Sequence, residues 1–222
     1  MKAKWLKILV LAFLTLGLVS CETEEDNKME KARACLDKNP SGDASNQCLT
    51  YLNGLSGPQV DSLRAKIKIA AKNYIGLMAR AYSGGLDSAL GALIDTTNGL
   101  AGAQELLSIA QASGNSGLIA VATASYVATL CCGYGTGGCS CGAACDTAIK
   151  TGCTNVANAT GGASATQQAD LANQAVTLKN AACSDPSAQA STDPNNLCKK
   201  MTDALNGAGG PAAAIAAYLT AQ

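Results

Sequence analysis

Beyond residue 20 this chain has no Trp, no Phe and no His. Trp5 and Phe13 are the single copies of their kind, both lie in the first twenty residues, and histidine is absent altogether. Six tyrosines are the entire aromatic content of the remainder. A core without large aromatic rings must be built from Ala, Leu, Ile and Val. The 23 glycines and the many alanines let its elements approach closely. The same absences limit function. General-base catalysis by histidine and His-ligated metals are excluded. Stacking platforms for bases or sugars are also disfavoured, because they depend on aromatic faces.

The first twenty residues form a leader. Lys2, Lys4 and Lys7 precede an apolar run over 8–19. That charge, length and order fit a secretory signal, and the run is too short for a bilayer span of roughly twenty residues. Its end, Leu18-Val19-Ser20-Cys21, resembles the lipobox of bacterial lipoproteins. The resemblance implies cleavage before Cys21, lipid on the Cys21 sulfur and acylation of the new amino terminus. It therefore implies a multi-chain anchor and membrane lipid as the first partner. A single acyl chain binds a membrane only marginally, whereas two or more hold it stably. Glu22 stands where an aspartate would resemble an inner-membrane retention signal, so the expected site is the outer membrane, facing the periplasm or the surface.

Cleavage removes three lysines. The mature chain then holds 13 basic and 16 acidic residues, a net charge of about −3, which does not suit a nucleic-acid binder. With Cys21 carrying lipid, ten of the eleven cysteines remain, an even number in a compartment that permits disulfides. All ten are disulfide candidates: Cys35, Cys48, Cys131, Cys132, Cys139, Cys141, Cys145, Cys153, Cys183 and Cys198.

Residues 22–30 read as an acidic tether that merges into a helix ending near Cys35. Asn39-Pro40-Ser41-Gly42 breaks it. Asp43 or Ser45 is the expected cap of a second helix through Cys48 to Gly54. Pro58 then opens a longer helix over 58–82, with Val60, Leu63, Ile67 and Ala70 at helical spacing. Arg64, Lys68 and Lys72 recur every four residues on its other side. They read either as a solvated face or as a surface for anionic lipid or an acidic partner.

Further helices are predicted around 86–94 and 101–112. The stretch 118–132 is almost wholly apolar and small, and no charged residue occurs between Glu105 and Asp146. At about fifteen residues it is short for a membrane span and reads as a buried central helix. A helix over 143–157 follows. Ser164 and Gln167 form a capping box for a helix to about Cys183. A polar loop over 184–193 leads to an Asp193-Pro194 start for a helix through Cys198, Met201 and Leu205. A short helix begins at Pro211.

Two loops match. In each, one Cys ends a helix and the next lies early in the following helix, five residues after an aspartate. Twelve residues separate Cys35 from Cys48, and fourteen separate Cys183 from Cys198. Those pairs are the predicted disulfides, and the two copies read equally well as a duplicated helical hairpin or as chance similarity. Pairing within the central six, Cys131 to Cys153, stays open, except that a bond between the neighbours Cys131 and Cys132 is disfavoured by strain. Stacked helical hairpins resemble tetratricopeptide-type solenoids in outline only. Their signature residues and their period of about 34 residues are absent.

Gly133-Tyr134-Gly135-Thr136-Gly137-Gly138 matches the dinucleotide-binding pattern G-x-G-x-x-G. The stretch before it reads as helix rather than strand, and no acidic residue stands about twenty positions further on, so it reads as a glycine loop between cysteines. No S-x-x-K occurs, which argues against a Ser–Lys hydrolase.

The expectation is therefore an all-α protein of about eight to ten helices, in antiparallel hairpins or a bundle stapled by disulfides. Residues 1–20 are the signal, 21–30 the anchor and tether, and 31–222 a single cysteine-rich domain. The expected function is that of an envelope lipoprotein with a structural or protein-interaction role, no catalysis and no cofactor, acting through an envelope protein not identified by sequence. Two other readings are a soft-metal module using the Cys131–Cys153 cluster and a helical protein that packs against the membrane.

Overall fold

Helices begin where the sequence supplies caps. In the computed structural model, which describes residues 23–72, 94, 98–135, 145–193, 196–207 and 209–220, helix α1 (Glu24–Lys38) starts at a complete capping box. The Thr23 hydroxyl accepts from the Asp26 amide at 3.1 Å and donates to the Asp26 carboxylate at 2.7 Å, which holds that carboxyl below its usual range. Glu24 pairs with Lys28 at 2.7 Å one turn on, and Met29 is buried. The acidic stretch expected as a tether is thus helix from Glu24. Three acidic residues in the first turn complement the helix dipole there.

The second element is a 3-10 helix, Asp43–Leu52, not the α-helix expected. Runs of 3-10 geometry seldom exceed four residues, and this one has ten. External ties hold it. Cys48 is bonded to Cys35 of α1, with the Cα atoms 5.5 Å apart. Arg64 donates to the carbonyls of Leu52 and Leu55 at 2.8 and 2.7 Å. Neither Asp43 nor Ser45 caps it: Gly42 stands at the N-cap with no side-chain bond. Ser45 is instead buried, its hydroxyl donating to the Asn39 carbonyl at 2.6 Å.

Helix α2 (Pro58–Ala71) joins two cores. Val60, Leu63 and Ile67 pack with Met29, Ala32, Cys48 and Leu52 in a small amino-terminal cluster. Ala65 and Ile69 belong to a larger cluster made by the rest of the chain. The apolar periodicity identified the first face only, because Ala65 adds little hydrophobic signal. Residues 73–82 of the helix expected over 58–82 lie outside the described residues, as do 86–93.

Helix α3 (Gly99–Ser113) ends at Gly114, whose φ of 66° is the left-handed conformation that glycine adopts without penalty. Helix α4 (Ser116–Gly133) is capped by the Asn115 side chain, which accepts from the Leu118 amide at 3.0 Å. It packs against α3, α5 (Cys145–Ala157) and α6 (Ala165–Ala182) and is the centre of the larger core. Its residues from Ala122 through Cys132 are buried apart from Ala124. Two buried hydroxyls there bond to carbonyls one turn back, Thr123 to Ile119 at 2.7 Å and Thr129 to Ser125 at 2.8 Å, so their burial leaves no donor unsatisfied.

The expected Ser164–Gln167 capping box opens α6. The polar loop after Cys183 contains a single-turn helix, α7 (Pro186–Gln189), capped by Asp185. Helix α8 (Leu197–Gly207) starts later than expected. Asn196, not Asp193, accepts from the Lys199 amide at 3.0 Å, while the Asp193 carbonyl closes a turn with the Asn196 amide. Helix α9 (Pro211–Thr220) packs on α5, α6 and α8. The fold is all-α, with nine α-helices, one 3-10 helix and no strand among the described residues.

Candidate functional site

The cysteines shape the chain's two ends and its middle. Cys35 joins Cys48, and Cys183 joins Cys198 with Cα atoms 4.9 Å apart. Both matched loops are therefore closed by a disulfide, although the second carries α7 within it and the first does not. In the centre Cys131 of α4 joins Cys153 of α5, a pairing the sequence left open, and Cys132 is disulfide-bonded as well. Cys145 is buried at the start of α5. Cys139, Cys141 and Cys21, the expected lipidation site, lie outside the described residues.

These bonds bear on the soft-metal reading of the Cys131–Cys153 cluster. A metal takes the thiolate form of cysteine, and the sulfurs of Cys131, Cys132 and Cys153 are held in disulfides. In that state these three sulfurs are not thiolates. No group of three or more His, Cys, Asp or Glu is placed to hold an ion among the described residues.

The glycine pattern after α4 has a packing role. A Cβ on Gly135 would lie 2.3 Å from the Ala148 carbonyl oxygen, and one on Gly152 would lie 1.8 Å from that of Cys131. Two glycines thus bring α4 and α5 into backbone contact beside the Cys131–Cys153 bond, whose Cα atoms are 4.5 Å apart. Asn155 completes the junction, its side chain donating to the Tyr134 carbonyl at 2.9 Å. The element before Gly133 is a helix, so the motif lacks the strand that dinucleotide binding requires.

The basic face of α2 is largely engaged within the molecule. Besides its two carbonyl partners, Arg64 forms an ion pair with Asp61 at 3.1 Å and is only 26% exposed. It secures the end of the 3-10 helix, adding a charged donor to the Leu52 carbonyl, which also accepts from the Leu55 amide, and one to the Leu55 carbonyl. Lys68 reaches Glu105 of α3 at 3.0 Å. Lys72 is the C-cap of α2 and partly buried. Arg64 and Lys68 are thus met by partners within the fold. Sequence spacing detects a shared helix face but not the carbonyls or carboxylates that another element brings to it.

One polar pair, a buried tyrosine and a half-buried aspartate, was invisible to sequence reading. Tyr126 of α4 donates to Asp170 of α6, a residue 44 positions away, and Gln174 donates to the other oxygen of that carboxylate at 3.2 Å. Burial, then the bond to Asp170 and its charge, pushes the Tyr126 phenol above its ordinary value of 10.0. Nothing else reactive adjoins it among these contacts, so the pair reads as a latch between α4 and α6.

Helix α4 is the one helix among the described residues long and apolar enough to cross a membrane, by length and composition alone. Over half of it is buried against its neighbours, as suits the core helix of a folded domain. No known family, curated protein or solved structure matches the chain.

Proposed function

We propose that this chain is a lipid-anchored protein of the bacterial envelope, with a structural or protein-interaction role and no catalysis. The observation that carries the reading is the leader ending Leu18-Val19-Ser20-Cys21. A basic start, a short apolar run and a cysteine at the cleavage position together fit acylation of Cys21. The disulfides support it, since such bonds persist in oxidising compartments outside the cytoplasm. Glu22 in place of an aspartate favours the outer membrane, facing the periplasm or the surface.

Only Glu22 and Thr23 separate Cys21 from α1. In this reading the acyl chains hold the folded domain against the bilayer rather than at the end of a long tether. The partner is then another envelope protein close to the membrane. Fractionation of cells producing the wild type and Cys21→Ser tests the reading. The wild type should sediment with membranes and resist release by salt, while the variant should lose that attachment or retain its uncleaved leader. Equal membrane attachment through a mature, cleaved chain in both would overturn it.

A further inference from the structure

Between α1, the first half of α2 and the α3–α4 turn lies an open groove of about 380 Å³. Its walls carry Arg33 from α1 and Lys66 from α2, with no acidic residue among its lining. Both cations are exposed, and neither makes an ion pair with a described residue. Glu30 and Asp37 flank Arg33 on α1 without pairing to it, and Asp26, bonded to Thr23, is near enough to feel its charge without forming an ion pair. Arg33 and Lys66 thus differ from Arg64 and Lys68, whose charges are met within the fold.

Uncharged polar groups surround the two cations. Gln59 and Ser62 of α2 line one side, and Ser113 and Asn115 line the other. The last two shape the wall: the Ser113 hydroxyl donates to the Ala110 carbonyl at 2.6 Å and accepts from the Asn115 amide at 3.1 Å, while Asn115 caps α4. A cavity with two positive charges from separate elements, polar groups beside Pro58 and Leu63, and no carboxylate in its lining suits a compact polyoxyanion. A guanidinium binds phosphate through paired donors, and an ammonium adds a point charge.

We infer that the Arg33–Lys66 groove binds a phosphate group. The phosphate is that of an anionic phospholipid headgroup or a free phosphate ion, which present the same oxygens. Arg33 lies ten residues beyond Thr23, about 15 Å along α1 from its start. The inference stands on the groove and holds whether or not Cys21 is acylated.

The test is the labelling rate of lysine amines in the full-length protein in neutral detergent, read by mass spectrometry. Inorganic phosphate is compared with chloride at equal ionic strength. In separate samples, micelles containing phosphatidylglycerol are compared with micelles containing phosphatidylcholine. Lys66 is the probe, and Lys31, exposed on α1 but outside the groove, is the reference. Protection of Lys66 of about threefold or more over Lys31 is expected, and Arg33→Gln should abolish it. Protection by inorganic phosphate identifies a site for free phosphate, and protection by phosphatidylglycerol alone identifies the lipid headgroup. Equal slowing of both lysines, no slowing of either, or protection that survives Arg33→Gln would overturn the inference.

Discussion

Replacing Gly152 by alanine should destabilise a helix that alanine ordinarily strengthens. In an open helix interior the exchange gains about 1 kcal/mol, since glycine has the greater backbone entropy to lose. Here the new Cβ would stand 1.8 Å from the Cys131 carbonyl oxygen, 2.7 Å from its carbon and 2.8 Å from the Gly135 nitrogen. All three are backbone atoms, so no side chain can swing away. Ordinary contact requires α5 to retreat from α4 by about 1.5 Å. The Cys131–Cys153 bond opposes that retreat, because its Cα atoms are held 4.5 Å apart. Overpacking of a tight interior costs about 1–3 kcal/mol, and contact with backbone beside a cross-link places Gly152→Ala at the upper end. Less the gain in propensity, the net loss is about 2 kcal/mol. In a chain of this size that lowers Tm by roughly 4–8 °C. Thermal unfolding followed by far-ultraviolet circular dichroism, with disulfides intact, reads it directly. Gly133→Ala is the control: its Cβ would meet nothing within 4 Å. It should leave Tm unchanged or slightly raised. A Gly152→Ala protein at least as stable as the wild type would refute the backbone contact between α4 and α5.

Three further outcomes follow from named contacts. Tyr126→Phe removes the bond to Asp170 and should cost about 1–2 kcal/mol in chemical denaturation near neutral pH. Because folding raises the phenol above 10.0, its contribution is complete below about pH 10 and is lost as pH rises toward the folded value. Melts taken between neutral and strongly alkaline pH should show that component in the wild type and lack it in Tyr126→Phe. Arg64→Met removes the charged donor from the Leu55 carbonyl and leaves the Leu52 carbonyl only the Leu55 amide, and should cost about 1.5–3 kcal/mol. Lys68→Met, whose partner Glu105 is 60% exposed, should cost less than about 1 kcal/mol, and equal losses in the two variants would contradict the assignment. Ala159 holds a φ of 51°, a left-handed conformation costly for a residue with a Cβ. Ala159→Gly should therefore stabilise by up to about 1 kcal/mol in the same denaturation assay, and a loss would show that the strain is absent.

The parts of the fold legible in the sequence are those encoded by neighbours along the chain. The Ser164–Gln167 box declares the start of α6 within four residues. The uncharged run after Glu105 declares a buried helix, which is α4. The spacing of Val60, Leu63 and Ile67 declares the inner face of α2. Thr23 and Asp26 carried the same kind of local signal, but the surrounding acidic residues suggested a solvated tether. The 3-10 geometry of residues 43–52 was not legible, because its supports come from Cys35 and from Arg64, which lies well beyond it in sequence. The same limit applies to the candidate site. Arg64, Lys68 and Lys72 are conspicuous by period, yet the structure turns the first two toward internal partners. Arg33 and Lys66, on different helices, share no period and meet only in the folded chain. Glycines 135 and 152 likewise look like loop and helix punctuation until α5 is set against α4.

The proposed attachment to the membrane is tested most directly by intact and peptide mass spectrometry of the protein purified from its own envelope. The account predicts a chain lacking residues 1–20, with Cys21 as its amino terminus and carrying the mass of several acyl chains. A chain that keeps its leader, or begins elsewhere with an unmodified Cys21, would contradict it.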